Sequence, residues 1–130
     1  MISLRHYIEE KVAAFNIGRS SMPQIKDQAH FKQHLETLGI FYSTRYVGVD
    51  QITPVQVDID QAKVQSIDPS KPSAPIIVSD AFYILDGHHR YFSHMFYDMD
   101  EIEVIQVDTG INKLLALAND YVEQGAFDDS

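Results

Sequence analysis

Asp86-Gly87-His88-His89-Arg90 is the run of this chain whose residue types and order could do chemistry. It follows the apolar stretch Phe82-Tyr83-Ile84-Leu85 and precedes Tyr91, Phe92, Met95 and Phe96, which recur at helical spacing. The pattern predicts a strand ending at Leu85, a sharp turn at Asp86-Gly87 and a helix opening at His88. The first turn of a helix carries unpaired backbone N–H groups and a partial positive charge. Gly87 lets a ligand come close to the backbone, because no Cβ stands in the way. Arg90 offers a forked set of donors suited to phosphate oxygens. His88 and His89 can donate hydrogen bonds or exchange protons near neutral pH. These parts together make an anion cradle.

Asp86 has two readings. It could N-cap the helix by accepting from the N–H of His88 or His89, or hold Mg²⁺ beside a bound phosphate. Asp-Gly is also a favoured two-residue hairpin turn. Residues 88–96 do not alternate as a strand would, and their apolar periodicity favours the helix. A zinc site is a weaker alternative. His88 and His89 are adjacent, so on a helix they point about 100° apart and converge poorly. His94 falls on the Arg90 side, one turn later. His30 and His34 are four apart but lack an HExxH pattern, which reads as two surface histidines.

The elements that must position this corner can be read along the chain. Residues 3–15 have Leu4, Tyr7, Ile8, Val12 and Phe15 at helical spacing. Residues 16–25, with Gly18 and Pro23, read as a loop. Residues 27–38 predict a second helix with Phe31, Leu35 and Leu38 inward and Gly39 as its stop. Residues 40–49 read as a strand. Thr53-Pro54 breaks the chain, and a helix is expected from near Asp58 or Asp60 through Ile67. A turn-rich connector spans 68–73. Residues 75–79 and 82–85 read as short strands and 88–97 as the corner helix, with Tyr91, Phe92, Met95 and Phe96 on its buried side. Residues 103–108 read as a strand and 111–123 as a last helix, before an acidic tail. Interleaved strands and helices predict an α+β (mixed α/β) fold.

The 130 residues, 45% of them hydrophobic, suit one compact domain. Seven Tyr and seven Phe supply core material. There is no apolar run near the roughly 18 residues of a membrane span, and the first residues are too charged for a signal peptide. The absence of cysteine excludes disulfides, thiolate metal sites and cysteine nucleophiles. A cytoplasmic location without a membrane partner is the expectation. Ten Lys and Arg stand against 19 Asp and Glu, a net charge of −9. Such a field repels a phosphate polymer, so non-specific nucleic-acid binding is not expected. A small phosphate compound or a protein partner is.

At this point the chain resembles the ParB-like nuclease/sulfiredoxin superfamily. The resemblance covers about residues 50–108. It rests on ITPVQVDIDQAKVQSI, similar to the first ParB box, and on PIIVSDAFYILDGHHRYFSH, similar to the segment that ends at the family's phosphate-binding strand–helix corner. It implies a ParB/sulfiredoxin-like domain over 40–123, a helical extension over 1–39 and a tail over 124–130. It also implies a nucleotide cofactor (ATP, ADP or CTP) with Mg²⁺. Chromosome-partition ParB proteins carry a Gly-Glu-Arg-Arg-like motif and are longer, so a sliding DNA clamp is not implied. Sulfiredoxins carry Gly-Cys-His-Arg, with the catalytic cysteine where this chain has His88; that chemistry is excluded here. Free-serine kinases of the superfamily also carry the DGHHR motif, with an acidic residue close to Gln56, for which Asp58 is the available substitute. Residues 18–25 (GRSSMPQI) are similar to segments ahead of this motif in phage-encoded ParB-like proteins. Arg19, Ser20 and Ser21 are candidates to reach a phosphate; the alternative is an interhelical loop whose Met22 and Ile25 plug the core.

Two functions follow. In an enzyme of phosphoryl transfer or nucleotide hydrolysis, Gly87 and the amides after it hold a phosphate and Arg90 neutralises developing charge. His88 or His89 donates to phosphate oxygens, Asp86 helps hold Mg²⁺, and Asp58 or Gln56 orients the attacking group. In a binding module, the same corner senses a nucleotide and a protein partner reads the result, as a phage factor acting on a host protein would. A His-His-Arg set exceeds what simple binding needs, which favours the enzyme.

Overall fold

The computed structural model describes residues 23–55, 60–71 and 73–123. The expected helix at 3–15, the residues Arg19, Ser20, Ser21, Gln56 and Asp58, and the tail lie outside the described residues.

Helix α1 (Gln28–Thr37) starts where Asp27 accepts from the His30 N–H at 3.1 Å. It ends on Gly39, whose φ of +73° suits a residue without a Cβ. Gly39 N–H donates to the Glu36 carbonyl at 3.0 Å and Ile40 N–H to the Leu35 carbonyl at 2.9 Å, closing a Schellman turn. Strand β1 (Tyr42–Gly48) and a short 3₁₀ turn (Val49–Gln51) follow. Helix α2 (Gln61–Ser66) begins at Asp60, whose side chain accepts from Lys63 N–H at 3.2 Å. Then come β2 (Ile76–Val78), β3 (Ile84–Asp86), α3 (His88–Phe96), β4 (Glu101–Val107) and α4 (Ile111–Glu123).

The four strands form one mixed sheet in the order β1-β4-β2-β3. β1 runs antiparallel to β4, β4 parallel to β2, and β2 antiparallel to β3. Strand β2 is apolar throughout because both of its faces are covered. Ile76 and Val78 join Val47, Ile102, Val104, Val64, Tyr91 and Phe92 on the face covered by α2 and α3. Ile77 joins Ile105, Val107, Phe31, Leu35, Leu114 and Tyr121 on the face covered by α1 and α4. The result is the expected α+β domain. Helix α1, assigned from sequence to an N-terminal extension, shares a core with the sheet.

Three local expectations need correction. Leu38 is exposed, because the helix ends before it and the chain turns away through Gly39. Phe96 is exposed as well, lying at the last turn of α3 and packed edge-on against Tyr97 at 4.9 Å. Phe82 is not in a strand: it closes the β2–β3 turn with φ +67°, donating to the Ser79 carbonyl at 3.1 Å. The Ser79 hydroxyl accepts from Tyr83 N–H at 3.1 Å and holds that turn shut. His30 and His34, read from sequence as surface histidines, are partly buried and pack around Tyr121. The His30 Nδ1 lies 2.8 Å from the Tyr121 hydroxyl.

Candidate anion site at the Gly87 corner

Strand β3 ends at Asp86, paired with Ile77 of β2, and α3 opens immediately past Gly87. Gly87 is the N-cap residue, with φ +104° and ψ 25°, and it makes no side-chain cap hydrogen bond. Asp86 is therefore not the cap: pairing with Ile77 keeps it in the strand. A Cβ on Gly87 would stand 2.5 Å from Ile76 Cγ2 and 2.8 Å from an Arg90 Nη2. Glycine is thus required twice, by the backbone angle and by the space.

The helix that follows is tied down from its buried side. Tyr91 donates to the Ile52 carbonyl at 3.3 Å and Ser93 to the Ile67 carbonyl at 2.9 Å. Thr53 N–H donates to the Phe82 carbonyl at 2.9 Å, and Ile84 N–H to the Thr53 carbonyl at 3.0 Å. These bonds stitch residues 52–55 along β3 and against α3.

His88 is buried, and its Nε2 accepts from Val55 N–H at 3.0 Å. Burial, with some help from neighbouring His89, pushes its pKa down to about 3. It is a neutral imidazole that holds the 52–55 segment to the helix. His89 is half-buried, and its Nε2 accepts from Asp60 N–H at 3.2 Å, linking α3 to the start of α2. His94 turns back along the helix, its Nδ1 2.8 Å from the Arg90 carbonyl. Among the described residues, no group of three or more His, Asp or Glu could hold a metal ion.

Arg90 lies against Gly87 and donates through Nη2 to the Pro75 carbonyl at 3.2 Å. The same carbonyl accepts from Gln28 Nε2 at 2.6 Å. The Arg90 Nε is buried without a hydrogen-bond partner among the described residues. Burial raises the pKa of Asp86, against the opposing pull of Arg90, the Gly87 N–H and Lys63. A recess of about 100 Å³ opens here, lined among others by Gln24, Lys63, Asp86, Gly87, His89 and Arg90.

The structure thus brings Asp86, Gly87, His88, His89 and Arg90 to one corner. Sequence reasoning missed Lys63 and the Pro75 carbonyl. Lys63 sits three residues past an Asp cap, one turn into a short helix, and that placement was the available signal.

No family model matches the chain, and no curated protein matches it. Among solved structures, a Pnob8-like ParB-N domain superposes with a TM-score of 0.50 at 14% identity, over 61% of this chain and 35% of that one. The chain therefore spans about a third of the length of that neighbour. The fold is that of a ParB-N-like domain, in agreement with the sequence resemblance. Among the described residues, no helix is long and apolar enough to cross a membrane.

Proposed function

We propose that the Gly87 corner binds the phosphate of a nucleotide. One observation carries this: α3 starts on a glycine with no side-chain cap, and the recess at its mouth gathers Lys63, His89 and Arg90. That is a local concentration of donors in a chain of net charge −9. The start of a helix carries a partial positive charge, which favours an oxyanion placed there. Arg90 adds planar donors and Lys63 a point charge. His88 is a positioning residue, setting where the helix opens relative to residues 52–55. A thermal-shift series with ATP, ADP, CTP and inorganic phosphate, with and without Mg²⁺, tests this. A ligand at about 100 times its Kd stabilises by about 2.7 kcal/mol, several degrees in a domain of this size. The shift is expected in the wild type and absent in Arg90→Ala. A flat response in the wild type across the whole series sinks the proposal.

Asp86 favours a second reading of the same corner, phosphoryl transfer or nucleotide hydrolysis. Its burial-raised proton affinity suits a group that takes a proton from an attacking hydroxyl or water. Arg90 and His89 would stabilise charge on the phosphoryl oxygens, with Mg²⁺ held beside Asp86 and Asp58 or Gln56 orienting the attacking group. Turnover abolished in Asp86→Asn, with nucleotide binding retained, is the expected outcome. Binding with no turnover in the wild type leaves the corner a nucleotide sensor read by a protein partner.

A further inference from the structure

Strand β1 is one edge of the sheet, and among the described residues no strand lies on its outer side. Two hydrogen bonds show which of its residues serve β4. Asp108 N–H donates to the Phe41 carbonyl at 2.8 Å, and Val49 N–H donates to the Asp100 carbonyl at 3.0 Å. Between these two points the register with β4 is unbroken from Tyr42 to Gly48. In an antiparallel ladder, residues that give both backbone groups to one neighbour alternate with residues that point both groups the other way. The odd-numbered residues of β1 therefore bond to β4. Tyr42, Thr44 and Tyr46 direct their N–H and C=O groups outward.

Such an edge is a template for another strand, and proteins ordinarily blunt theirs with proline, lysine or a bulge. β1 has none of these. Its one charged residue, Arg45, folds back over its own sheet. Arg45 Nη2 donates to Gln106 Oε1 at 2.7 Å, and the guanidinium lies 5.5 Å from the centre of the Phe82 ring. The two most exposed large apolar side chains among the described residues are Phe41, at 79%, and Tyr46, at 65%. One directly precedes this strand and the other belongs to it. Residues 37–49 carry no Asp or Glu, so in a chain of net charge −9 a second copy meets no carboxylate on the strand itself.

The strand is self-complementary in one register. Two antiparallel copies must match outward-facing residues with outward-facing residues, so the two-fold axis falls on a residue. An axis at Arg45 sets the two Arg45 side chains directly opposite, a like-charge pair. An axis at Ser43 sets Tyr46 opposite Ile40, whose N–H already donates to the Leu35 carbonyl at 2.9 Å. An axis at Thr44 sets Tyr42 opposite Tyr46 on both sides and Ser43 opposite Arg45. It pairs every outward group from Tyr42 through Tyr46, and its aromatic pairs lie on one face of the sheet.

We propose that two copies of this chain join edge to edge along β1, antiparallel, with the two-fold axis at Thr44, into one continuous sheet. The contact is a single strand pair, smaller than a standard stable interface, so the dimer is weak and concentration-dependent.

The test combines sedimentation velocity on the full chain, over about two decades of concentration, with cysteine cross-linking. Thr44→Pro removes an N–H that β4 does not use, and an edge strand tolerates proline there, so its melting curve should match the wild type. The chain has no cysteine, so Ser43→Cys, Thr44→Cys and Arg45→Cys each carry a single thiol. At the axis the facing Cα atoms stand about 5.5 Å apart, within disulfide reach, whereas like-numbered residues one place from it are diagonal, about 7–8 Å apart, and beyond it. The wild type should pass from monomer to dimer as concentration rises. Thr44→Pro should raise the dimer dissociation constant at least about tenfold. Mild oxidation should link Thr44→Cys several times faster than the other two, a result that does not depend on the proline variant folding. A wild type that stays monomeric throughout, a dimer indifferent to a folded Thr44→Pro, or cross-linking that is fastest at position 43 or 45 overturns the proposal.

Discussion

Helices α1 and α3 open in opposite ways. At α1, Asp27 folds its side chain over the first turn and accepts from the His30 N–H. Asp60 does the same for α2 through Lys63 N–H. At α3 the cap position is Gly87, which has no side chain to offer, and the acidic residue before it belongs to the sheet. Two helices have one opening amide capped by the side chain just before them. The third has no side-chain cap, and its opening lies beside Lys63, His89 and Arg90. A helix end capped by its own carboxylate is closed to anions, whereas one opened on glycine is available to them.

The strongest way to break this contrast is to close the gap at Gly87. Gly87→Ala forces a side chain into a left-handed backbone and against Ile76, 2.5 Å from its Cγ2. The summed strain and overpacking should destabilise by about 2–5 kcal/mol in urea unfolding and abolish any ligand-induced shift. Gly39→Ala is the matched control. It also has positive φ but nothing within 4 Å of its new Cβ, so the cost should stay near 1–2 kcal/mol, about the backbone term alone.

Next in size is His88. Replacing it by Leu strands the Val55 N–H, at a cost of about 1–3 kcal/mol. The pH profile sharpens the assignment. His88 is neutral when folded, with its pKa lowered to about 3, and takes a proton near 6.5 when unfolded. Its contribution is complete above about pH 6.5 and is lost as pH falls toward 3, by at most about 1.4 kcal/mol per pH unit. His88→Leu should flatten that slope; a slope unchanged in the variant would place the titration elsewhere.

Asp27→Ala should cost about 1 kcal/mol, as the loss of an ordinary cap does, and leave ligand binding untouched. The smallest effect belongs to Asp86. Its pKa is raised on folding, so the folded chain holds that proton more tightly and loses stability as pH climbs past the acid range. Asp86→Asn should therefore raise the neutral-pH melting temperature slightly. A fall would mean that its pairing with Arg90 outweighs its burial.

Much of this was legible in the order of residue types. Asp27, with helical spacing after it and Gly39 at the end, announces α1; apolar strand, Gly87 and Arg90 announce the corner. Local rules suffice there because each signal acts within a turn or two of itself. What was hidden depends on distant partners. The N-cap fell to Gly87 because a ladder with Ile77 claimed Asp86. The part played by His88 is set by Val55, 33 residues away, and no spacing rule links them. Phe82 adopts positive φ because the Ser79 hydroxyl closes its turn. Leu38 and Phe96 fit the helical stripes of their sequences, yet each sits at a helix end and is exposed.

The shared carbonyl of Pro75 has a consequence for how occupancy would be felt elsewhere. It is held by two donors, the guanidinium of Arg90 and the amide of Gln28, the first residue of α1 and 47 positions distant in sequence. A guanidinium drawn off toward an incoming oxyanion hands that oxygen wholly to Gln28. The opening turn of α1, on the opposite side of the sheet, thereby becomes the natural place to watch for news of the ligand.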